Sequence, residues 1–302
     1  MIKISVVIPN FNGRFLLEKN LPAVVRACES WSKTGWEIIV VDDASTDDSV
    51  GFLQKEFPTI KIIKHASNRR FAQSCNSGVA SAQGEIIILL NHDVSPDKNF
   101  VTPLLKHFAD RRVFAVGCLE KDPLTGIASG RGIMAFKRGL VVHWRAEDQN
   151  QPTSSWVSGG SAAFDRAKWV EIGGMDTLFR PAYEEDRDIC YVAQKHDWKI
   201  LFEPKSLVHH HHGTSNRLVF GVNKVKIMSF KNQFLFVWKN ITDLRYLLLH
   251  LFWLPYHLTV TNLRTGGLLG IGFLSALLQL PEALSRRRRV KRLFEKSDSE
   301  II

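Results

Sequence analysis

Four polar clusters in this chain have residue types and spacings that could do chemistry. Asp42 and Asp43 end a short apolar run, where paired carboxylates can accept hydrogen bonds from a base or ribose. The same pair could instead serve the positive end of a following helix. Asn91-His92-Asp93 ends a second, more apolar run. A carboxylate in that place can hold a divalent cation, which would neutralise a diphosphate and stabilise leaving-group charge. His92 is either part of that site or a spacer. Glu184, Glu185 and Asp186 form a carboxylate cluster, in which one acid can raise the pKa of another. Such a cluster suits a general base that takes a proton from an acceptor hydroxyl, and it also suits a solvated acidic helix start. Finally, His209 to His212 are four consecutive imidazoles. They cannot all reach one ion, so one or two would face a site, where imidazole is compatible with Mn²⁺.

Other residues could contribute binding. Arg69 and Arg70 could meet phosphate or a sugar hydroxyl, and Trp144 and Trp156 could stack on sugar faces or else be core. The segment with Gly159 and Gly160 reads as a tight turn or a close approach of backbone to a neighbour.

The elements that must position these residues follow from periodicity. Residues 4–8, 37–41, 61–64 and 85–90 read as strands, separated by helical stretches at 14–32, 47–56 and 71–82, with a further helix at 97–110. This β-α-β-α-β-α-β order argues for a largely parallel sheet, whose ligands bind outside the carboxyl ends of its strands. The polar cluster Pro9, Asn10, Asn12 and Gly13, the Asp42-Asp43 pair and the segment 91–93 all stand at such ends. A dinucleotide fingerprint and a GxxxxGK[ST] loop are both missing from the first strand–helix junction, which excludes those two phosphate-binding designs. Residues 113–165 read as short strands and turns, with 141–155 polar and loop-like. A helix follows near 165–172, another runs to about 196, and short strands lie at 200–202 and 207–208.

Composition bounds the rest. The 302 residues carry a net charge of +10, and four cysteines at 28, 75, 118 and 190 form no metal-like or disulfide-scaffold spacing. No export signal is expected from the opening residues, which run straight into a strand. Residues 246–281 are rich in Leu, Phe, Trp and Gly, but the longest uninterrupted stretch, 266–278, is too short for a span. Arg286, Arg287, Arg288, Arg289, Lys291 and Arg292 follow it. Apolar helices lying in an interface, with basic residues at the headgroups, fit this pattern; a soluble, basic helix pair is the alternative. An anionic membrane surface is therefore the expected polyanionic partner, and no nucleic-acid-binding signature is present.

Together these segments resemble family 2 glycosyltransferases, inverting enzymes of the GT-A fold, in their rhamnosyltransferase-like form. The resemblance runs in order through Ser5 to Gly13, Val40 to Ser49, Asn68-Arg69-Arg70-Phe71-Ala72 with Asn76-Ser77-Gly78, Asn91-His92-Asp93, Trp156-Val157-Ser158-Gly159-Gly160, Tyr183 to Cys190 and Val208 to Ser215. It implies a Rossmann-like, mostly parallel sheet flanked by helices, with a catalytic domain at 1–240. That domain divides into a nucleotide-binding half of about 1–112 and an acceptor-side half of about 113–240. Residues 241–302 would form an apolar, basic membrane-associating segment. The resemblance places the catalytic base at Asp186 beside Glu185, and a divalent cation, Mg or Mn, on Asp93 and His210. Pro9, Asn10, Asn12, Asp42, Asp43, Arg69, Asn91 and Asp93 would bind the nucleotide sugar, with Asp42 favoured over Asp43. Trp156, Gly159, Gly160, Trp144 and His209 would contact the acceptor or sugar, with His209 a second candidate for the metal. The implied partners are a nucleotide-diphosphate sugar, dTDP- or UDP-linked, and a glycan or lipid-linked saccharide acceptor at the cytoplasmic face of the cell membrane. Two departures stand out: Asn91 replaces the first acid of the DxD motif, and Arg70 occupies a usual Gly position. A non-catalytic binding protein of the same fold and a nucleotidyltransferase are the competing readings.

Overall fold

A computed structural model describes residues 3–210 and 220–302. Its centre is a nine-stranded sheet. The first strands are β1 (Ile4–Asn10), β2 (Trp36–Asp42), β3 (Lys61–Lys64) and β4 (Ile86–Leu90). They pair in parallel in the order β3-β2-β1-β4, as the alternating pattern requires, with Val6 opposite both Ile38 and Ile88. β1 is buried on both faces, so its alternating side chains feed two cores. Ile4, Val6 and Ile8 pack with Leu17, Leu21 and Val24 of α1 (Arg14–Trp31) on one side. Val7 packs with Cys75 and Val79 of α3 (Arg70–Ser81) on the other. The connecting helix α2 spans Ser49–Glu56. Gly78 permits the close approach of α3, since a Cβ there would lie 2.3 Å from Val7 Cγ1.

The second half is mixed in direction. β5 (Val94–Pro96) was not legible in the sequence, and the helix after it is short: α4 (Val101–Leu105) tightens into a 3₁₀ turn at Lys106–Ala109. β6 (Val113–Lys121) and β7 (Ala128–Ser129) follow, then the hairpin β8 (Gly132–Lys137) and β9 (Leu140–Arg145). The expectation of a loop over 141–155 is therefore corrected in its first five residues, which pair with β8. β10 (Ser161–Asp165) lies antiparallel between β4 and β6 and leads into α5 (Arg166–Glu171). After α6 (Glu185–Lys195), the two short strands expected at 200–202 and 207–208 are one long β11 (Lys199–His210). It runs parallel to β6 with a register shift between Glu203 and Leu207, so the polar middle that suggested a break is an irregularity within one strand.

This topology gathers the strand-end candidates at one edge. The carboxyl ends of β1, β2, β4, β6 and β11 share that edge, and antiparallel β10 begins there because Ser161 sits opposite Leu90.

The remaining helices are α7 (Val222–Asn240), α8 (Leu244–Tyr256), α9 (Leu268–Leu278) and α10 (Leu280–Val290); α8 continues through a π turn at His257–Thr261. Leu269 and Ala276 of α9 join the core containing Phe234 and Leu235 of α7. The segment after α10 returns to α6, where fully buried Asp298 is held on all sides. Its Oδ1 accepts from Lys195 Nζ at 2.8 Å and Tyr191 Oη at 2.6 Å, both on α6. Its Oδ2 accepts from the amides of Thr242 and Asp243 at 2.6 and 2.7 Å.

Among the described residues no single helix is long and apolar enough to cross a membrane, and α9 and α10 meet at a 64° bend. Exposed Leu244, Leu248, Leu251 and Phe252 form one stripe on α8, and Ile271, Leu274 and Leu278 form another on α9. The basic run is not uniformly outward, as its sequence suggested. Arg286 reaches Glu282 and Asp176, and Arg287 donates to the carbonyls of Trp238 and Ile241. Arg288, Arg289, Lys291 and Arg292 are exposed.

Candidate active site

A cleft of about 550 Å³ opens at the shared edge. Pro9, Asn10, Asn12, Asp43, Asn91, Asp93, Gly159, Gly160, Glu185 and Asp186 all line it, so ten expected residues meet although they span most of the catalytic half. His92 and Arg70 line it too.

The nucleotide-side carboxylates divide their work differently from the expectation. Asp42 does not line the cleft; its Oδ1 accepts from Asn10 Nδ2 at 3.1 Å and its Oδ2 from the Ser45 amide at 3.1 Å. Successive residues at a strand end point to opposite sides, and it is Asp43 that faces the cleft. Asp43 also fixes the start of α3, accepting from the amides of Arg69 and Arg70 at 2.8 Å each, with His65 Nδ1 at 2.7 Å. Asn12 lines the cleft, yet its Oδ1 is engaged by the Thr46 amide at 2.7 Å and so shapes the β2–α2 turn. Asn10 Oδ1 is buried without a hydrogen-bond partner. Arg69 is exposed and off the cleft, whereas Arg70 enters it at φ +72°, a left-handed conformation that favours glycine. Its guanidinium lies 5.6 Å from the Phe220 ring centroid.

Two glycines bring the two carboxylate groups together. A Cβ on Gly160 would lie 2.4 Å from Asn91 Nδ2, and the Gly160 carbonyl accepts from the Asn91 amide at 2.9 Å. A Cβ on Gly159 would stand 3.4 Å from Asp186 Cβ, and the Gly159 amide reaches Asp186 Oδ2 at 3.5 Å. A larger residue at Gly160 would push against Asn91, and one at Gly159 against Met175.

The acids at the start of α6 are sorted by partner. Glu184 accepts from Arg187 Nε at 3.0 Å and Nη2 at 3.1 Å, and Asp188 accepts from Lys239 and Asn240. Glu185 and Asp186 are left facing the cleft. Burial first, and then the adjacent Asp186, pushes the Glu185 carboxyl up to about 8. Near neutral pH Glu185 therefore mostly keeps its proton, and Asp186 stands beside it on the cleft wall.

Asp93 and His210 form the second charged centre, with Asp93 Oδ1 3.4 Å from His210 Nε2. Glu120, which sequence reasoning missed, lies behind them with Oε1 3.7 Å from His210 Nδ1. Glu120 is fully buried, accepts from Ser161 Oγ and pairs with Arg145 at 3.1 Å. Its one sequence signal was its place at the carboxyl end of β6. Burial opposes charge on His210, but Asp93 and Glu120 outweigh it and raise the imidazole to about 10. The two carboxylates that favour a charged imidazole would also favour a metal ion, for which His210 would have to give up its proton. Asp93 Oδ1 is buried, with the His210 imidazole beside it. Among the described residues no three His, Cys, Asp or Glu converge into a complete cage. That suits an ion held by few protein groups and completed by substrate phosphate and water.

The proposed sugar contacts are largely displaced. Trp156 is 6% exposed, with Arg145 and Arg187 guanidinium carbons 4.4 and 5.3 Å from its ring centroid, so it is packed structure and does not line the cleft. Trp144 is exposed on β9 under Lys137, also off the cleft. His209 turns to Asp97, its Nε2 3.2 Å from Oδ1. His211, His212 and the Gly213–Ser215 part of the resemblance lie outside the described residues.

Comparison with known proteins bears on the family and the fold. The pre-mycofactocin glycosyltransferase of Mycobacterium tuberculosis is 26% identical over 196 residues, 62% of this chain and 40% of that protein. The undecaprenyl-phosphate 4-deoxy-4-formamido-L-arabinose transferase of Salmonella choleraesuis is 32% identical over 124 residues, 40% of this chain and 37% of that protein. The chain thus spans about two fifths of the length of these curated relatives. Among solved structures, the mannosyltransferase PcManGT of Pyrobaculum calidifontis, bound to GDP-Man and Mn²⁺, superposes with a TM-score of 0.59 at 17% identity, covering 96% of this chain and 85% of that one. S. aureus TarS 1–349 with UDP-GlcNAc gives 0.60 at 14% identity, covering 97% and 83%. The fold is the GT-A fold, mixed α/β with a central sheet flanked by helices. Since the glycosyl transferase family 2 profile matches residues 5–168, more than half of the sequence, the chain belongs to that family.

Proposed function

We propose that this protein is an inverting, divalent-cation-dependent glycosyltransferase that moves a sugar from a dTDP- or UDP-linked donor to a hydroxyl of a glycan or lipid-linked acceptor. The observation that carries this reading is the cleft itself, lined by Asp186 and Asp93, with His210 paired to Asp93 at 3.4 Å. Asp186, steadied by the Gly159 and Arg187 amides, takes the proton from the acceptor hydroxyl as that oxygen attacks the anomeric carbon. Asp93 and His210 would hold the metal, which when bound neutralises the diphosphate of the leaving nucleotide. Asn10 Oδ1 and Asp43 offer acceptors to the nucleotide, and Arg70 offers a cation to phosphate or sugar. The Salmonella relative, whose name includes undecaprenyl phosphate, supports a lipid-linked acceptor.

The deciding experiment incubates the protein with a panel of nucleotide sugars and Mn²⁺ or Mg²⁺, and follows nucleoside diphosphate release with and without lipid-linked saccharide. Pyrophosphate release would instead indicate a nucleotidyltransferase, and binding without turnover a non-catalytic protein.

Arg70→Gly tests the departure from the family pattern. Glycine keeps the amide that bonds Asp43 and relieves the left-handed strain, so stability should rise by up to about 1 kcal/mol. Loss of the cation should raise the donor KM by about 10-fold. Thermal denaturation and donor titration read the two effects separately.

The apolar stripes of α8 and α9, with the exposed Arg288, Arg289, Lys291 and Arg292, support peripheral attachment to an anionic membrane at the cytoplasmic face. Each basic residue near such a surface contributes about 1 kcal/mol, so Arg288→Gln with Arg292→Gln should weaken binding by about 30-fold. Flotation with phosphatidylserine-containing vesicles, against neutral vesicles, measures this; equal binding to both would refute the electrostatic part.

A further inference from the structure

The segment that delivers Glu185 and Asp186 is conformationally expensive and is held from outside. Tyr183 and Glu184 are consecutive non-glycine residues at φ +71° and +82°, an arrangement that persists only when neighbours over-determine it. The neighbours are on α7, in two Lys–Asn pairs. Asn232, fully buried, directs Nδ2 at the carbonyls of Phe179, Ala182 and Tyr183, at 3.0, 3.0 and 2.9 Å. Lys231 Nζ takes the carbonyl of Arg180 at 2.5 Å. Eight residues further along α7, about 12 Å of helix, Lys239 Nζ and Asn240 Nδ2 take the two oxygens of Asp188 at 2.5 and 2.7 Å. The segment 179–188 is therefore fixed on both sides of the cleft-facing acids by one helix.

The two asparagines are poor choices for stability alone. Each leaves its Oδ1 buried without a hydrogen-bond partner, so each is retained for its donors at the expense of an unsatisfied acceptor. One amide with two hydrogens serving three carbonyls must share them, and sharing is tolerable where it fixes several points of a loop at once.

We propose that Asn232 and Asn240, supported by Lys231 and Lys239, are positioning residues that set the location of the Asp186 carboxylate relative to the donor. The proposal rests on the reading of Asp186 as the base. Because α7 also packs on α9, the base is held by the helix that carries the membrane-facing layer.

Asn232→Leu tests it, since leucine keeps the volume and removes both the donors and the orphaned oxygen. The variant leaves three buried carbonyls without this donor, so its melting temperature should fall, while kcat falls about 10- to 100-fold and UDP–Mn²⁺ affinity stays within about twofold. Leu269→Ala on α9 controls for general loosening of α7: it should lower the melting temperature without this selective loss of kcat. Amide hydrogen exchange of residues 179–188 should quicken in Asn232→Leu and in Asn240→Ala, with the β1–β4 strands unchanged. Unchanged exchange in both variants, or loss of kcat no greater than in Leu269→Ala, would overturn the proposal. If wild-type protein transfers no sugar while exchange still quickens, the base assignment fails and the restraint by α7 stands.

Discussion

Asp186→Asn should lower kcat by about 10²- to 10⁴-fold, the range a positioned general base contributes. The substitution keeps the shape and can keep the shorter hydrogen bond, from the Arg187 amide, while giving up the longer one from Gly159, so donor binding should change little and the loss should fall on the chemical step. Glu185→Gln is the companion. Because Glu185 already carries its proton at neutral pH, an amide in its place mimics the working state, and the effect there should be within about fivefold. A profile in which Glu185→Gln is the more damaging change would reverse the assignment of the two acids. Single-turnover kinetics at saturating donor, at pH 7, separates the outcomes.

Asp93→Asn should weaken Mn²⁺-dependent donor binding by about 100-fold, the worth of one strong charge-assisted contact. The shape of the site is kept, but the oxygen pair loses its charge beside His210. Titration calorimetry with UDP, with and without Mn²⁺, should show the wild-type difference between the two conditions collapse in the variant. Donor affinity that depends equally on Mn²⁺ in both proteins would remove Asp93 from the metal site. Thermal denaturation must accompany the measurement, because Asp93 also faces a buried imidazole held in its charged form well above neutral pH.

The first half of the fold and the edge where the cleft lies were legible because alternating strands and helices leave strong periodic signals, and their polar ends must gather at one side of a parallel sheet. What sequence could not settle was the phase of side chains at those ends. Asp42 and Asp43 are adjacent and chemically identical, and only the pleat decides that one ties down Asn10 and the other faces the cleft. Trp156 could be read as a sugar platform or as core, because the charges that cover it, Arg145 and Arg187, come from elements whose packing has no periodic signature. Glu120 was hidden in an apolar strand, its partners Ser161 and Arg145 lying 41 and 25 residues away. Asn232 escaped for a different reason: its partners are backbone carbonyls, which leave no trace in residue identity.

Asp298 gives the chain a temporal order. It neutralises Lys195 across 103 residues of sequence, and Lys195 sits at the far end of the same helix that begins with Glu185 and Asp186. A lysine buried that completely without its counter-charge would strain the packing of α6. During synthesis from the amino end, α6 can emerge and coil long before its counter-ion exists. The strands and helices before α6 can thus pack early, while α6 takes up its final seat only once Asp298 can reach Lys195.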